Sequence, residues 1–306
     1  MEGNMKIIIY KLIQFFLVLF LGYVLAKKKI IQENQLSLLS QLVTKVFLPA
    51  YTFCSMYNGN TKNQLFAGIP VLLITVIFYL VLIALFSALS RILKLKGERR
   101  TVFMALFIFG NTGFVGMPVL QSLYGGEGAI NMALFSIIDQ AIMWSYGINL
   151  CYGGHKGKFQ LKKILNPCIF AIAAAMILLL AEIQLPSLVM ETIITVGNGN
   201  TSVCMLYLGG LMYYSSMRSV LKDKELYIGI ITKMIFFPIC VNAVLSLLPI
   251  NDVMRGSLVI IAGLPTMTVI PILAREGSSE GEYAAGITMI TLLTCLITLP
   301  LIALTI

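Results

Sequence analysis

The sequence predicts an all-α membrane protein with ten transmembrane helices in two inverted five-helix repeats. Three observations support this fold class: the composition is too apolar for a soluble core, ten apolar windows follow one another, and a proline-broken segment recurs half a chain later. Of the 306 residues, 58% are hydrophobic and 11% are charged. One soluble domain could not bury that much apolar surface.

Each apolar window is close to the roughly 20 residues that a helix needs to cross the hydrocarbon core of a bilayer. The first window is longer than the apolar region of a signal peptide, and it is followed by three lysines rather than by small residues. We therefore expect it to remain as a transmembrane helix. The ten predicted spans are 7–26, 35–57, 66–90, 101–123, 129–151, 164–182, 190–214, 227–248, 255–275 and 283–304.

The basic residues are distributed unequally between the two sides of these spans. If the N-terminus is outside, sixteen of the 22 Lys and Arg residues fall in inner loops and four fall on the outer side. An excess of Lys and Arg marks the cytoplasmic side of a membrane protein. We expect a multi-pass protein of the cell membrane with both termini outside, and we interpret the net charge of +9 as an orientation signal rather than a nucleic-acid-binding surface.

A repeat divides the chain into residues 1–153 and 154–306. Pro118 and Pro271 are 153 residues apart, and the same shift brings the first five spans close to the last five. Because five is an odd number, the two repeats should enter the membrane with opposite orientations. Inverted repeats of this kind are typical of transporters, whose halves move against each other around a shared site.

Spans four and nine each contain a segment that cannot continue as a regular helix, "GNTGFVGMP" at 110–118 and "AGLPTMTVIP" at 262–271. Irregular backbone at this depth must be buried in protein or line a wet cavity, and the N-terminus of a half-helix there attracts anions. The alternative is a pair of proline kinks that serve packing only. The candidate substrate-binding residues are Asn111, Thr112, Gly113, Gly116, Pro118, Pro265, Thr266, Thr268 and Pro271.

Two ionisable residues lie near the predicted midplane and are candidate coupling residues. Lys45 is about ten residues into span two, and Asp139 lies equally deep in span five. Their functional interpretation is ion or proton coupling, and their structural interpretation is a buried ion pair that fixes helix register. Lys233 lies closer to a membrane edge, so we expect its ammonium to extend to the interface.

Span seven contains the polar stretch "GNGNTS" at 197–202. The 153-residue shift places Asn198 opposite Lys45, so Asn198, Asn200 and the nearby Pro49 are secondary candidates for a cavity wall. Small-residue packing between helices is the alternative. The six cysteines occur singly without a second ligand nearby, and we expect neither a metal nor another cofactor.

The stretches "GNTGFVGMPVLQSLYG" and "GLPTMTVIPILARE" resemble the paired crossover-helix motifs of the auxin efflux carrier family, which includes plant PIN carriers and bacterial malate and malonate permeases. The resemblance covers essentially the whole chain and is to the short prokaryotic type. It implies a scaffold of spans one, two, six and seven, a moving part of the other spans, a carboxylate held where spans four and nine cross, and a homodimer. Asn111, Pro118, Pro265 and Pro271 match the motifs, whereas Thr266 and Met267 depart from them.

The sequence therefore predicts a secondary transporter of small organic carboxylates, auxin-like or malate-like, that works by alternating access. The alternatives are a cation/proton antiporter and a sodium-coupled bile-acid-type carrier, which would call for more intramembrane carboxylates than Asp139. We do not expect an enzyme, because the sequence has no GxSxG motif and no paired carboxylates, and it has no Walker motif for ATP. The expected partners are the carboxylate, the lipid bilayer and a second copy of the chain.

Overall fold

The structure, a computed structural model, describes residues 2–58, 60–154, 167–214 and 220–306, and for residues 2–9, 11 and 12 it describes the backbone alone. This part of the chain is helical and contains no β-strand, only one antiparallel bridge between Gly110 and Thr266. The basic loop at 156–163 and Arg218, which contribute to the predicted orientation, lie outside the described residues.

Helices occupy part of each of the ten predicted windows. The crossing of the bilayer by all ten windows stays a prediction. Short turns join several of the helices: a 3₁₀ turn at Glu33–Gln35 and π turns at Val43–Phe47, Thr112–Gly116, Met143–Gly147 and Thr232–Phe236. In chain order the helices are α1 (Glu2–Lys27), α2 (Leu36–Leu42), α3 (Leu48–Tyr57), α4 (Lys62–Gly68), α5 (Pro70–Ile92), α6 (Gly97–Ile108), α7 (Met117–Ile142), α8 (Ile148–Cys151), α9 (Pro167–Leu180), α10 (Ser187–Tyr214), α11 (Lys224–Ile231), α12 (Phe237–Leu245), α13 (Asp252–Ala262), α14 (Ile270–Gly277) and α15 (Gly281–Ala303).

Three helical segments of the described chain are long and apolar enough to cross a membrane: Lys62–Ile92, Lys224–Leu245 and Gly281–Ala303. The outer face of the first segment is apolar, since Leu73 is 72% exposed and Leu80 is 62% exposed. Large exposed leucines repeated along one face of a helix are typical of a surface that lipid covers. The apolar helices therefore support a membrane protein.

Prolines explain three of the π turns in the described chain. Pro49, Pro118 and Pro238 each lie at the start of a helix that follows a π turn. A proline cannot donate to the carbonyl four residues before it, and its ring presses on that carbonyl. A wider turn with hydrogen bonds from i to i+5 relieves this contact and keeps the helix running.

The helices pack as two groups. The first helix group consists of α1–α3, α9 and α10: α1 lies along α10, and α3 packs on α9 and α10. Glycines permit the close approach of α1 and α10, because a Cβ on Gly209 would lie 2.0 Å from the Leu19 carbonyl oxygen and one on Gly22 would lie 2.5 Å from that of Leu206. The second helix group consists of α4–α8 and α11–α15, in which α7 packs against α5 and α13.

Two helices of the second helix group are interrupted near the centre of the molecule. The chain leaves helical geometry after Ile108 and resumes it in the π turn that leads into α7. It leaves again after Ala262 and resumes at Ile270. Both interruptions coincide with the glycine- and proline-containing segments of the sequence.

Candidate functional site

The two interrupted segments cross and pair through their backbones. The Asn111 N–H donates to the Pro265 carbonyl at 2.7 Å, and the Met267 N–H donates to the Phe109 carbonyl at 3.1 Å. These bonds flank the antiparallel bridge between Gly110 and Thr266. Each segment thus satisfies backbone groups that the interruption of the other had freed, which is a requirement inside a membrane.

Glycine makes this close crossing sterically possible. A Cβ on Gly116 would lie 2.5 Å from Met132 Cε and 2.8 Å from Leu264 Cδ1. A Cβ on Gly113 would lie 3.0 Å from Leu48 Cδ2, which belongs to the first helix group. The predicted site glycines therefore let the half-helix approach both the second broken segment and the neighbouring group.

Asn111 caps the half-helix that begins at Thr112. Its Oδ1 accepts a hydrogen bond from the Phe114 N–H at 3.1 Å, which fixes the orientation of the amide. The Nδ2 atom is buried and has no hydrogen-bond partner. A buried donor without a partner is costly, so a donor in this position is poised to bind a ligand oxygen.

A cavity of about 430 Å³ lies beside this half-helix, between the two helix groups. The volume is within the range of small-molecule sites. Its wall is formed by Ser40, Thr44, Lys45, Leu48, Pro167, Cys168, Ile169 and Ile172 from the first helix group, and by Asn111, Thr112, Gly113, Phe114, Ser136, Gln140, Met143, Trp144, Met267, Thr268 and Val269 from the second.

Some of the predicted site residues line the cavity, and the others lie behind its wall where the two broken segments cross. Asn111, Thr112, Gly113, Thr268 and Lys45 line the cavity, whereas Gly116, Pro118, Pro265, Thr266 and Pro271 are outside its wall and shape the crossing behind it. The secondary candidates are not part of the wall either: Pro49 follows the π turn that carries Lys45, Asn198 is exposed, and Asn200 is buried with neither amide atom hydrogen-bonded.

Lys45 and Asp139 do not form the ion pair that was one interpretation of the sequence. Lys45 is exposed at the cavity, and its Nζ donates to Gln41 Oε1 at 3.2 Å. Asp139 is fully buried behind the opposite wall, and its carboxylate accepts hydrogen bonds from Tyr79, Gln140 and Thr112. Lys45 belongs to the first helix group and Asp139 to the second, and the cavity lies between the two groups. Their role in coupling stays a prediction.

The expectation that the Lys233 ammonium reaches the interface is wrong. Lys233 is 3% exposed, and its Nζ lies 5.2 Å from the ring centroids of both Phe78 and Phe237. These distances are within cation–π range. The sequence does contain a signal for this position: Lys233 lies five residues before Pro238, much as Lys45 lies four residues before Pro49, and each lysine is in the π turn ahead of its proline. Tyr79, the hydroxyl partner of Asp139, was also missed.

A charged network closes one end of the second helix group. Arg99 at the start of α6 forms ion pairs with Asp223, with Glu225 at 2.9 Å and with Glu280 at 3.6 Å, and its guanidinium lies 3.9 Å from the centre of the Tyr283 ring. Burial and the neighbouring carboxylates raise the pKa of Glu280, while Arg99 opposes this shift. The network joins the beginnings of α6, α11 and α15.

Comparison with known proteins gives the family. The model of a family described as membrane transport protein matches residues 7–156 and, a second time, residues 154–303. An uncharacterized transporter of Methanothermobacter thermautotrophicus is 22% identical over 294 residues, which cover 92% of each chain. An uncharacterized transporter of Methanocaldococcus jannaschii is 23% identical over 189 residues, 59% of this chain and 61% of the relative. The chain belongs to the membrane transport protein family, the auxin efflux carrier family that its two broken-helix motifs resemble.

Proposed function

We propose that the protein is a secondary active transporter that moves small organic carboxylates across the cell membrane by alternating access. The observation that carries this proposal is the unpartnered Nδ2 of Asn111 beside a cavity of about 430 Å³. An amide N–H and the positive end of a helix dipole are both suited to bind a carboxylate. The helix that starts at Thr112 supplies this dipole at the cavity wall.

The cavity wall favours an acid that has a compact charged end and an apolar body. Lys45, Gln140 and Thr268 provide polar groups, and Lys45 adds a positive charge that favours anions. Leu48 and Trp144 provide apolar surface on the remaining wall. Auxin-like acids fit this combination directly, a malate-like acid would place its second carboxylate at the polar groups of the wall, and a larger polyanion would leave charges without partners.

Alternating access would use the boundary between the two helix groups, because the cavity lies on that boundary. The first helix group contains the helices of predicted spans one, two, six and seven, which are the scaffold that the family resemblance implies. The double match of the family model supports two repeats, at 1–153 and 154–306, in a ten-span protein. The charge bias supports both termini outside.

A cation/proton antiporter or a sodium-coupled carrier fits the buried carboxylate less well. The hydrogen-bond partners of Asp139 are the hydroxyls of Tyr79 and Thr112 and the amide nitrogen of Gln140. A sodium ion needs oxygen lone pairs, whereas an amide NH₂ can only donate. This shell is better suited to a proton than to a metal cation.

The test is uptake of radiolabelled malate, malonate and indole-3-acetate into proteoliposomes that contain the purified protein. Asn111→Ala removes a charge-assisted hydrogen bond and should weaken binding roughly ten- to hundredfold. Asn198→Ala is the matched control, because this asparagine is exposed and outside the cavity wall, and it should bind like the wild type. Absence of uptake for all three acids, or equal affinity of Asn111→Ala and wild type, would contradict the proposal.

A further inference from the structure

A cluster of ionisable side chains is buried directly behind the cavity. Asp139 is 0% exposed, Tyr79 is 1% exposed and Lys233 is 3% exposed. The Tyr79 hydroxyl donates to Asp139 Oδ1, and the Lys233 ammonium acts on the carboxylate electrostatically without a direct ion pair. Placing such groups inside a membrane protein costs free energy and is typical of transported ions or relays.

Two residues connect this cluster to the cavity. The second oxygen of Asp139, Oδ2, accepts hydrogen bonds from Gln140 Nε2 at 3.0 Å and from Thr112 Oγ1 at 3.4 Å. Gln140 and Thr112 also line the cavity, whereas Tyr79 and Lys233 do not. The carboxylate is therefore separated from a bound substrate by a single side chain.

The two connecting residues differ in what they can do when the carboxylate changes. The amide of Gln140 is held by a hydrogen bond from Trp144 Nε1 to its Oε1 at 3.1 Å, so its NH₂ faces Asp139 and can only donate. The hydroxyl of Thr112 can donate or accept, and its contact is the longer of the two. Thr112 can follow a change of protonation at Asp139, and Gln140 cannot.

We propose that Asp139 binds the proton that accompanies each substrate molecule and that Thr112 transmits its protonation state to the cavity. This inference rests on the proposed function. When Asp139 is ionised, the Thr112 O–H donates to Oδ2. When a proton binds Oδ2, the new Asp139 O–H donates to Thr112 Oγ1, and the Thr112 hydrogen turns into the cavity and donates to the substrate carboxylate. The proton leaves Oδ2 after the substrate has left, and the Thr112 hydroxyl turns back.

The charges around Asp139 favour joint movement of proton and anion. In the described part of the chain, the titratable groups that face Asp139 are Tyr79 of α5 and Lys233 of the π turn before α12. Lys45 of the first helix group faces the cavity instead, where it is exposed. Binding of one proton adds a positive charge to the buried cluster, and a carboxylate in the adjacent cavity compensates it. In a medium of low dielectric constant, each of the two charges therefore makes binding of the other more favourable.

The first experiment measures binding of malonate and of indole-3-acetate to purified protein as a function of pH, above about pH 6.5, where both acids are essentially ionised. Binding to the wild type should weaken by up to about tenfold per pH unit as pH rises, because one proton is bound with the ligand. Asp139→Asn should bind with pH-independent affinity, since its amide can donate to Thr112 as the protonated acid does. Uptake by this variant should occur without proton entry.

Variants at Thr112 separate transmission from folding. Thr112→Val keeps the shape of the side chain but lacks the hydroxyl, so it should bind roughly ten- to hundredfold more weakly at low pH and lose most of the pH dependence. Thr112→Ser restores the hydroxyl and should recover both. Ser122→Ala is the matched control: Ser122 is on the same helix as Asp139 but outside the cavity wall, and it donates to the Pro118 carbonyl, so the pH dependence should remain.

A second experiment needs no substrate. In detergent, the wild type should take up one proton more than Asp139→Asn between about pH 8 and about pH 5, as followed with a pH indicator dye. Equal proton uptake by the two proteins would overturn the inference. Unchanged pH dependence of acid binding in Thr112→Val would overturn the role of Thr112. If the extra proton is taken up but no acid binds, Asp139 still titrates as inferred and the proposed substrate class is wrong.

Discussion

Replacing Pro118 by alanine tests whether the broken helix is shaped for binding. Pro118 follows the π turn at Thr112–Gly116 and cannot donate to the Phe114 carbonyl. Pro118→Ala supplies the missing N–H and removes the ring that presses on this carbonyl. The π turn should then relax toward a regular α-helix.

The structural consequence can be estimated from helix geometry. A π turn holds one residue more than an α turn, so its loss rotates the preceding residues by about 100° and shifts them by about 1.5 Å. Thr112 would lose its 3.4 Å contact with Asp139 Oδ2, and the Asn111 amide would turn away from the cavity. We expect a gain of about 0.5–1.5 kcal/mol in stability from the new backbone hydrogen bond and a loss of roughly ten- to hundredfold in substrate affinity.

The assay compares the melting temperature in detergent with the affinity for the transported acid. Pro300→Ala is the matched control, because Pro300 interrupts hydrogen bonding inside α15, away from the cavity wall. It should raise the melting temperature without changing affinity. A Pro118→Ala protein that binds and transports like the wild type would refute the reasoning and leave the break as a packing feature.

Two further predictions concern the charged network and the orientation. Arg99→Gln should lower the free energy of unfolding by about 1–3 kcal/mol, because three carboxylates lose their cation. The pKa of Glu280 is raised in the folded state, so as pH falls the folded state binds a proton more readily than the unfolded state does. The loss of melting temperature in Arg99→Gln should therefore be smaller at acidic than at neutral pH. A loss that does not depend on pH would contradict this prediction. In a background without native cysteines, Asn63→Cys should react with an impermeant maleimide on intact cells and Lys96→Cys should not, and the reverse pattern would overturn the predicted orientation.

Part of this site could be predicted because it depends on the covalent structure of single residues and on the composition of short windows. A proline lacks an N–H in any fold, so Pro118, Pro265 and Pro271 indicated interruptions wherever their segments were placed. The apolar windows similarly indicated where helices form, because window length and composition depend on neighbouring residues alone. The paired backbones at Asn111 and Pro265 could be expected only through the repeat and the family resemblance.

The partners of the buried charges were not predictable in the same way. Asp139 binds Tyr79, which is 60 residues away, and their meeting depends on the rotation of two helices about their axes. A count of residues from the end of a span gives depth but not rotation, and one π turn changes rotation by about 100°. For this reason the residue count pairs Lys45 with Asp139 and places the Lys233 ammonium at the interface, and the structure shows neither arrangement.

The π turns ahead of prolines explain why Lys45 and Lys233 were misplaced from the sequence, and they also build the candidate site. Lys45, Thr112 and Lys233 each lie in a π turn that precedes a proline, and each is at the cavity or in the cluster behind it. Single π turns inside α-helices occur frequently at functional sites, since they re-aim side chains and leave carbonyls less tightly bonded. Pro49 and Pro238 are therefore expected to matter for binding as much as the prolines of the broken segments do. The polar site therefore uses one local feature three times, a π turn ahead of a proline, and two of the residues in these turns act on Asp139: Thr112 by a hydrogen bond and Lys233 by its charge.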